Sequence, residues 1–249
     1  MMGMQTMLGK LGTGVVDFLL PPRCPACGER IMSHGHLCAA CWNKLVPISD
    51  PLCNQCGLPF EYNAGDRAHC GSCMKELPAF DWARAAVSYD DLGKSLVLKL
   101  KHGKSGAGVP ALAAMMARLV PPERSVDIIV PVPLHRKRLL QRRFNQSQLL
   151  ASALGKKLGL PCDPFVLERR RATPSQGTLG RKARLRNVEG AFNVSESRRV
   201  RIDGASVLLV DDVLTTGATA SACAKTLKRF GAKEVGVVAF ARVALPRRS

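Results

Sequence analysis

Aromatic side chains make up only 5% of this 249-residue chain, with two Trp and two Tyr. So few rings argue against a sheet whose exposed aromatics stack successive bases, the common surface for single-stranded nucleic acid. No uninterrupted apolar run reaches the roughly 18 residues that a membrane-spanning helix needs, so an integral membrane protein is not expected. Residues 1–20 carry one Lys and an apolar group from Val15 to Leu20 that Asp17 interrupts, and no small-residue cleavage site follows. This stretch reads as a docking helix rather than an export signal, and the protein as cytoplasmic. Acidic residues are scarce too: 19 Asp and Glu face 37 Lys and Arg, a net charge of +18. An anionic partner is therefore expected. If that partner is nucleic acid, contacts to phosphates would dominate. Hydrophobic residues at 46% and charged residues at 22% are ordinary for a globular protein and exclude a disordered or collagen-like chain.

Cysteine, by contrast, is concentrated. Eight of the ten cysteines precede residue 74 and form four Cys-x-x-Cys pairs: Cys24 and Cys27, Cys38 and Cys41, Cys53 and Cys56, Cys70 and Cys73. A two-residue spacer lets both thiolates of a pair face one ion from a tight turn, and two pairs complete a tetrahedral site. Cys24-Pro25-Ala26-Cys27-Gly28 recurs 29 residues later as Cys53-Asn54-Gln55-Cys56-Gly57, an internal repeat in which glycine follows the second thiol. Pairing neighbours in sequence gives two structural Zn sites, one on Cys24, Cys27, Cys38 and Cys41, the other on Cys53, Cys56, Cys70 and Cys73. A crossed pairing and an iron–sulfur cluster stay open as alternatives. Disulfides do not suit a reducing compartment. His34, His36 and His69 are surplus to these sets, and Cys162 and Cys223 are expected in the core.

From about Phe80 the pattern changes to alternating apolar runs and helical periodicity, which places a boundary near Leu77 to Asp81 and three segments at 1–20, 21–79 and 80–249. Strands are expected over 83–89, 127–130, 205–210 and 234–241, and helices over 92–102, 109–119, 145–158 and 216–230. This alternation specifies an α/β domain with a mostly parallel sheet. The sharpest motif lies at the end of the third strand. Val207-Leu208-Leu209-Val210 is a buried strand, Asp211 and Asp212 stand where it is expected to end, and Thr215-Thr216-Gly217-Ala218-Thr219 opens a helix. Adjacent carboxylates there are costly unless they bind something such as sugar hydroxyls. A helix N-terminus rich in hydroxyls suits a phosphate. Together they describe a ribose 5-phosphate site.

At these residues the sequence resembles the type I phosphoribosyltransferases, whose signature is a hydrophobic strand, paired acids and Thr-Thr-Gly-x-Thr. The resemblance implies a type I phosphoribosyltransferase-like fold binding phosphoribosyl pyrophosphate (PRPP). Asp211 and Asp212 would hold the ribose hydroxyls and Thr215, Thr216, Gly217, Ala218 and Thr219 the 5-phosphate, with Mg²⁺ arriving with the ligand. A second resemblance is narrower. Pro131-Val132-Pro133-Leu134-His135-Arg136-Lys137-Arg138, followed by Arg142-Arg143-Phe144-Asn145-Gln146, is similar to the hallmark of the ComF family, competence-associated proteins in which a cysteine-rich zinc domain precedes the transferase fold. Arg143 stands where that family more often has glycine.

In such folds the loop after the early strand contacts pyrophosphate, so His135, Arg136, Lys137, Arg138, Arg142 and Arg143 are candidates for pyrophosphate or DNA phosphate contacts. The stretch Arg169 to Arg186 adds seven positive charges at the position of a mobile hood loop. Arg198, Arg199, Arg201, Arg242, Arg247 and Arg248 extend the basic surface. The family's link to DNA uptake implies single-stranded DNA as a partner, beside a helicase. Two functions remain: a PRPP-binding, zinc-binding protein that handles single-stranded DNA, or an active phosphoribosyltransferase on an unidentified amine or base. Neither includes glutamine hydrolysis, since a metal ribbon stands where a glutamine amidotransferase has its ammonia-producing domain.

Overall fold

Apolar side chains arriving at every strand position, rather than every second one, mark a strand buried on both faces. Ser206–Leu214 behaves in this way: Val207, Leu208, Leu209 and Val210 are all buried. The computed structural model describes residues 21–65, 67–102, 106–171, 188 and 190–243. The docking helix expected over 1–20, the hood residues 172–187, and Arg247 and Arg248 lie outside the described residues.

Four strands, β1 (Trp82–Ser88), β2 (Ile128–Pro131), β5 (Ser206–Leu214) and β6 (Glu234–Arg242), form a wholly parallel sheet in the order β1-β6-β5-β2. A further extended segment borders β2, where the Ile129 N–H donates to Pro161 O and the Asp163 N–H to Ile129 O. Helices α3 (Asp91–Lys101), α4 (Val109–Ala117) and α6 (Gln146–Leu158) cover one face, packing on Leu208, Val210, Val238 and Phe240. Helix α7 (Ala218–Arg229) covers the other, over Leu209, Val237 and Ala239. The short antiparallel pair β3 (Leu167–Arg169) and β4 (Phe192–Val194) brackets the hood stretch. Gly236 fits the sheet for a steric reason: a Cβ there would lie 2.3 Å from the Trp82 indole.

The cysteine repeat is also a repeat of hydrogen bonds. Gly28 N–H donates to Cys24 O and Gly57 N–H to Cys53 O, both at 2.8 Å. Both glycines have positive φ, 83° and 67°, which permits the knuckle. Helices α1 (Ala39–Trp42) and α2 (Gly71–Lys75) carry the second pair of each set. This region docks along the outer edge of β1, through Ile48 N–H to Ala86 O and Ser88 N–H to Val46 O.

Most expected elements lie within two residues of those observed, and two expectations are corrected. The acids do not follow the end of β5, because the strand continues through them: Asp211 pairs with Ala239 and Leu214 with Arg242. Ladder pairing to β6 overrides the poor strand preference of Asp. The basic segment is not a loop after β2 but a helix, α5 (Arg136–Arg142), capped by the His135 imidazole, which accepts from Lys137 N–H. Of the lone cysteines, Cys223 is fully buried but Cys162 only half-buried.

Helix α5 ends at Arg143 with φ 65°, the single non-glycine residue of positive φ among the described residues. The left-handed region costs an L-residue about 1–2 kcal/mol, of which glycine's greater freedom in the unfolded chain takes back about 0.5–1 kcal/mol. Arg143→Gly is therefore expected to stabilise the protein by roughly 0.5–1 kcal/mol, seen as a higher urea midpoint; a lower midpoint would show that the arginine side chain outweighs the backbone.

Candidate functional site

Both thiol sets converge. The Sγ atoms of Cys24, Cys27, Cys38 and Cys41 lie within 4.8 Å of one another, as do those of Cys53, Cys56, Cys70 and Cys73. Cys27 and Cys38 are 3.6 Å apart, and so are Cys56 and Cys70. A tetrahedron with Zn–S bonds of about 2.3 Å has edges of about 3.8 Å, so each set fits zinc as it stands, and the pairing follows the sequence order. Backbone N–H groups already point at the sulfurs, Cys38 N–H to Cys24 Sγ and Cys70 N–H to Cys53 Sγ. The hydrogen bond from the Cys56 thiol, with the N–H groups of Cys56, Cys70 and Gln55, pulls the Cys53 thiol down against the effect of burial, while the same bond and burial push Cys56 up and burial pushes Cys73 up. His34, His36 and His69 belong to neither set.

The two sites differ in shielding. All four thiols of the second are buried, whereas Cys27 is exposed and Cys38 half-buried. Buried Arg242, at the end of β6, donates from Nη1 to Cys56 O at 2.6 Å and from Nη2 to Cys56 Sγ at 3.4 Å.

A cleft of about 470 Å³ opens at the C-terminal end of the sheet. Its floor is the acid pair. Ser147 Oγ donates to Asp211 Oδ1 at 3.0 Å, and the Asp212 N–H donates to the same oxygen at 2.9 Å. Ser147 is placed by Asn145, whose side chain accepts from the Ser147 N–H and donates to Val132 O, fixing the start of α6 against the chain leaving β2. Asp212 is buried, and its Oδ2 lies 3.0 Å from Lys101 Nζ. Loss of water around its carboxyl, followed by the Asp212 charge beside it, pushes Asp211 up to about 7. Thr215 and Thr219 form one wall, and Arg138, Arg142 and Arg169 line the cleft with them. Gly217, φ 78°, turns the chain into α7, and the Thr216 hydroxyl accepts from the Ala218 N–H at 3.4 Å. The first-turn N–H groups therefore meet the threonines at the strand end. Thr215, Thr216 and Gly217 also border a second cleft of about 210 Å³, whose far wall is Cys56, Cys70 and Cys73.

The candidate residues thus divide. Asp211, Asp212, Thr215, Thr219, Arg138 and Arg142 share the first cleft, Thr216 and Gly217 line its neighbour, and Ala218 begins α7. His135 serves as a helix cap, and Arg136, Lys137 and Arg143 are exposed outside the cleft lining. Two of the three arginines at 198–201 are tied to buried Asp163, Arg198 at 3.3 Å and Arg201 at 2.9 Å. Lys101, Ser147 and Tyr89 line the cleft without having been signalled by the sequence. Ser147 directly follows the Asn145-Gln146 motif, whereas Lys101 ends a helix with no motif at all.

Residues 15–79 match the Double zinc ribbon domain family and residues 145–247 the Phosphoribosyl transferase domain family. The chain is 30% identical to Competence protein F of Haemophilus influenzae over 88% of its own length and 96% of the relative's. The chain belongs to the ComF family. A DNA utilization protein, YhgH of Salmonella typhimurium, is 34% identical over 83% of this chain and 90% of its own. Competence protein ComFC of Bacillus subtilis is 25% identical over 78% and 79%. This ComF-family chain therefore has a type I phosphoribosyltransferase-like fold preceded by two Cys₄ zinc sites. Among the described residues no helix is long and apolar enough to cross a membrane.

The purified chain is expected to hold two zinc equivalents. Chelation should remove them in two phases, the exposed Cys27 site first, with loss of structure in 21–79; a single equivalent by metal analysis would break the two-site assignment. The Asp211 shift gives a second expectation. With the carboxyl titrating near 7, its capacity to accept hydrogen bonds grows as pH rises, so the ribose 5-phosphate expected from the sequence should, if it binds through Asp211, bind roughly tenfold tighter at pH 8 than at pH 6. Asp211→Asn isolates this effect from the ligand's own phosphate titration, and equal pH profiles for the two proteins would contradict it. In the unliganded protein the sign reverses. The unfolded chain loses this proton near pH 4 and the folded chain near 7, so the group lowers stability progressively across that interval.

Proposed function

We propose that this protein binds PRPP with Mg²⁺ in the cleft above Asp211 and Asp212, and that it serves the handling of single-stranded DNA during DNA uptake. The observation that carries the first part is the convergence, in one cleft, of an acid pair, Thr215 and Thr219 from the turn opening α7, and Arg138 and Arg142. Each suits one part of the ligand. Carboxylates accept from the ribose diol, the helix start holds the 5-phosphate, and arginines neutralise the diphosphate.

The cleft offers oxygen donors in the two carboxylates, Ser147 and the threonines, the ligand chemistry that Mg²⁺ accepts when it arrives on phosphate oxygens with its waters. Bound there, the ion would offset diphosphate charge. The protein's own part is to orient the ribose through Asp211 and Asp212 and to stabilise the diphosphate through Arg138 and Arg142. Relatives named for competence and DNA utilization, together with a net charge of +18, support the DNA part of the reading. A helicase is a fitting partner for a protein that meets single strands in the cytoplasm. A second reading, an active phosphoribosyltransferase acting on a small amine or base, is favoured by the same acid pair and separated from the first by turnover.

The test is PRPP binding and pyrophosphate release with Mg²⁺, with and without single-stranded DNA or a pool of small amines and bases. The wild type is expected to bind, and Asp211→Ala/Asp212→Ala to lose about 100-fold in affinity or more while retaining its zinc. Release that requires both acids would make the protein an enzyme. Unchanged affinity in the double variant would overturn the site.

A further inference from the structure

Lys101 has no role in the acid-pair motif or in the basic segment, yet it stands at the centre of the cleft's electrostatics. It is the last residue of α3, on the face of the sheet that also carries α6, and its Nζ reaches to 3.0 Å from Asp212 Oδ2. The two ends of this ion pair are unlike. The Asp212 side chain is 7% exposed and fixed in the strand, whereas the Lys101 side chain is 22% exposed, at the mouth of the cleft on a flexible four-carbon stem. Among the described residues no well-aligned hydrogen bond reaches Asp212 Oδ2, and Lys101 Nζ at 3.0 Å is the cation beside it. An ammonium that sits near a carboxylate oxygen without using its directional valence neutralises it and remains free to be drawn elsewhere.

The cleft's charges show what would draw it. Lys101, Arg138, Arg142 and Arg169 face Asp211 and Asp212. While the cleft is empty, a cation must lie close to Asp212, because two adjacent carboxylates with little water are costly. A ribose diol donating to Asp212 satisfies the open oxygen, and a diphosphate on the same ribose brings a concentrated negative charge to the arginine side of the cleft. We propose that Lys101 is an exchangeable counter-ion: it pairs with Asp212 in the empty cleft and turns to the diphosphate when PRPP binds, making it a determinant of selectivity for PRPP over ribose 5-phosphate. The inference rests on the PRPP reading above and adds to it a residue, on a different helix, that senses the diphosphate.

The experiment compares the affinities of wild type, Lys101→Met and Lys101→Arg for PRPP and for ribose 5-phosphate, both with Mg²⁺. Methionine keeps the apolar stem and removes the charge; thermal melting checks that each variant is folded. Lys101→Met should weaken PRPP binding at least tenfold while changing ribose 5-phosphate binding less than threefold, and Lys101→Arg should recover most of the loss. Equal losses for both ligands would show that Lys101 only organises the acid pair, and no loss for either would show that it does nothing in binding; each result overturns the inference. A wild type that binds ribose 5-phosphate but not PRPP would overturn it too. A wild type that binds neither would instead remove the PRPP reading on which it stands.

Discussion

The pairing of β5 with β6, from Ser206 beside Glu234 to Leu214 beside Arg242, is the constraint on which the rest of the structure depends. It holds the strand straight through two aspartates that would favour a turn, so both are fixed near the C-terminal end of the sheet. It delivers Thr215 to Gly217 at the strand end, where α7 begins. It also places Arg242 opposite Leu214, within reach of the second thiol set. Acid pair, threonine turn and the Arg242 contact to Cys56 are thus three consequences of a single ladder.

The cysteine region replaces the packing that a small segment with few large apolar side chains cannot supply. Two metal sites do what a larger core would do, and the thiols themselves enter the two cores of the sheet: Cys24 and Cys41 on the face of α3, Cys53, Cys56, Cys70 and Cys73 on the face of α7. Gly57 makes this close approach feasible, since a Cβ there would lie 2.3 Å from Ala83 O. Lys99 adds a bond to Ala26 O, and Arg84 one to Asn54 O at 3.2 Å. The region is therefore seated on both the edge and the end of the sheet.

Much of this was legible in the sequence because it is written locally. The Cys-x-x-Cys repeat, the run Val207 to Val210 and the Thr-Thr-Gly-x-Thr turn each carry their chemistry within a few residues. What was not legible depends on distant partners. Asp211 to Leu214 are strand only because β6 lies alongside, and Lys101 belongs to the site only because α3 crosses above it. The basic segment reads as a loop from its two prolines, but His135 caps it and Arg143 accepts a strained end, so it folds as α5. The arginines at 198 and 201 look like free surface charge in sequence, and Asp163, 35 residues before the first of them, holds both.

The cleft of about 210 Å³ between Thr215–Gly217 and Cys56, Cys70 and Cys73 gives the second metal site a neighbour that no purely structural zinc requires. Its wall on one side is the turn into α7 and on the other the second thiol set, and buried Arg242, which also lines it, is bonded to Cys56. If the turn holds the phosphate proposed above, any linkage between the two sites is reciprocal: what an intact knuckle contributes to holding it, an occupied turn returns to the knuckle. On that reading the protein's resistance to losing zinc, or to oxidation of those thiols, would become a function of how much ligand its surroundings contain.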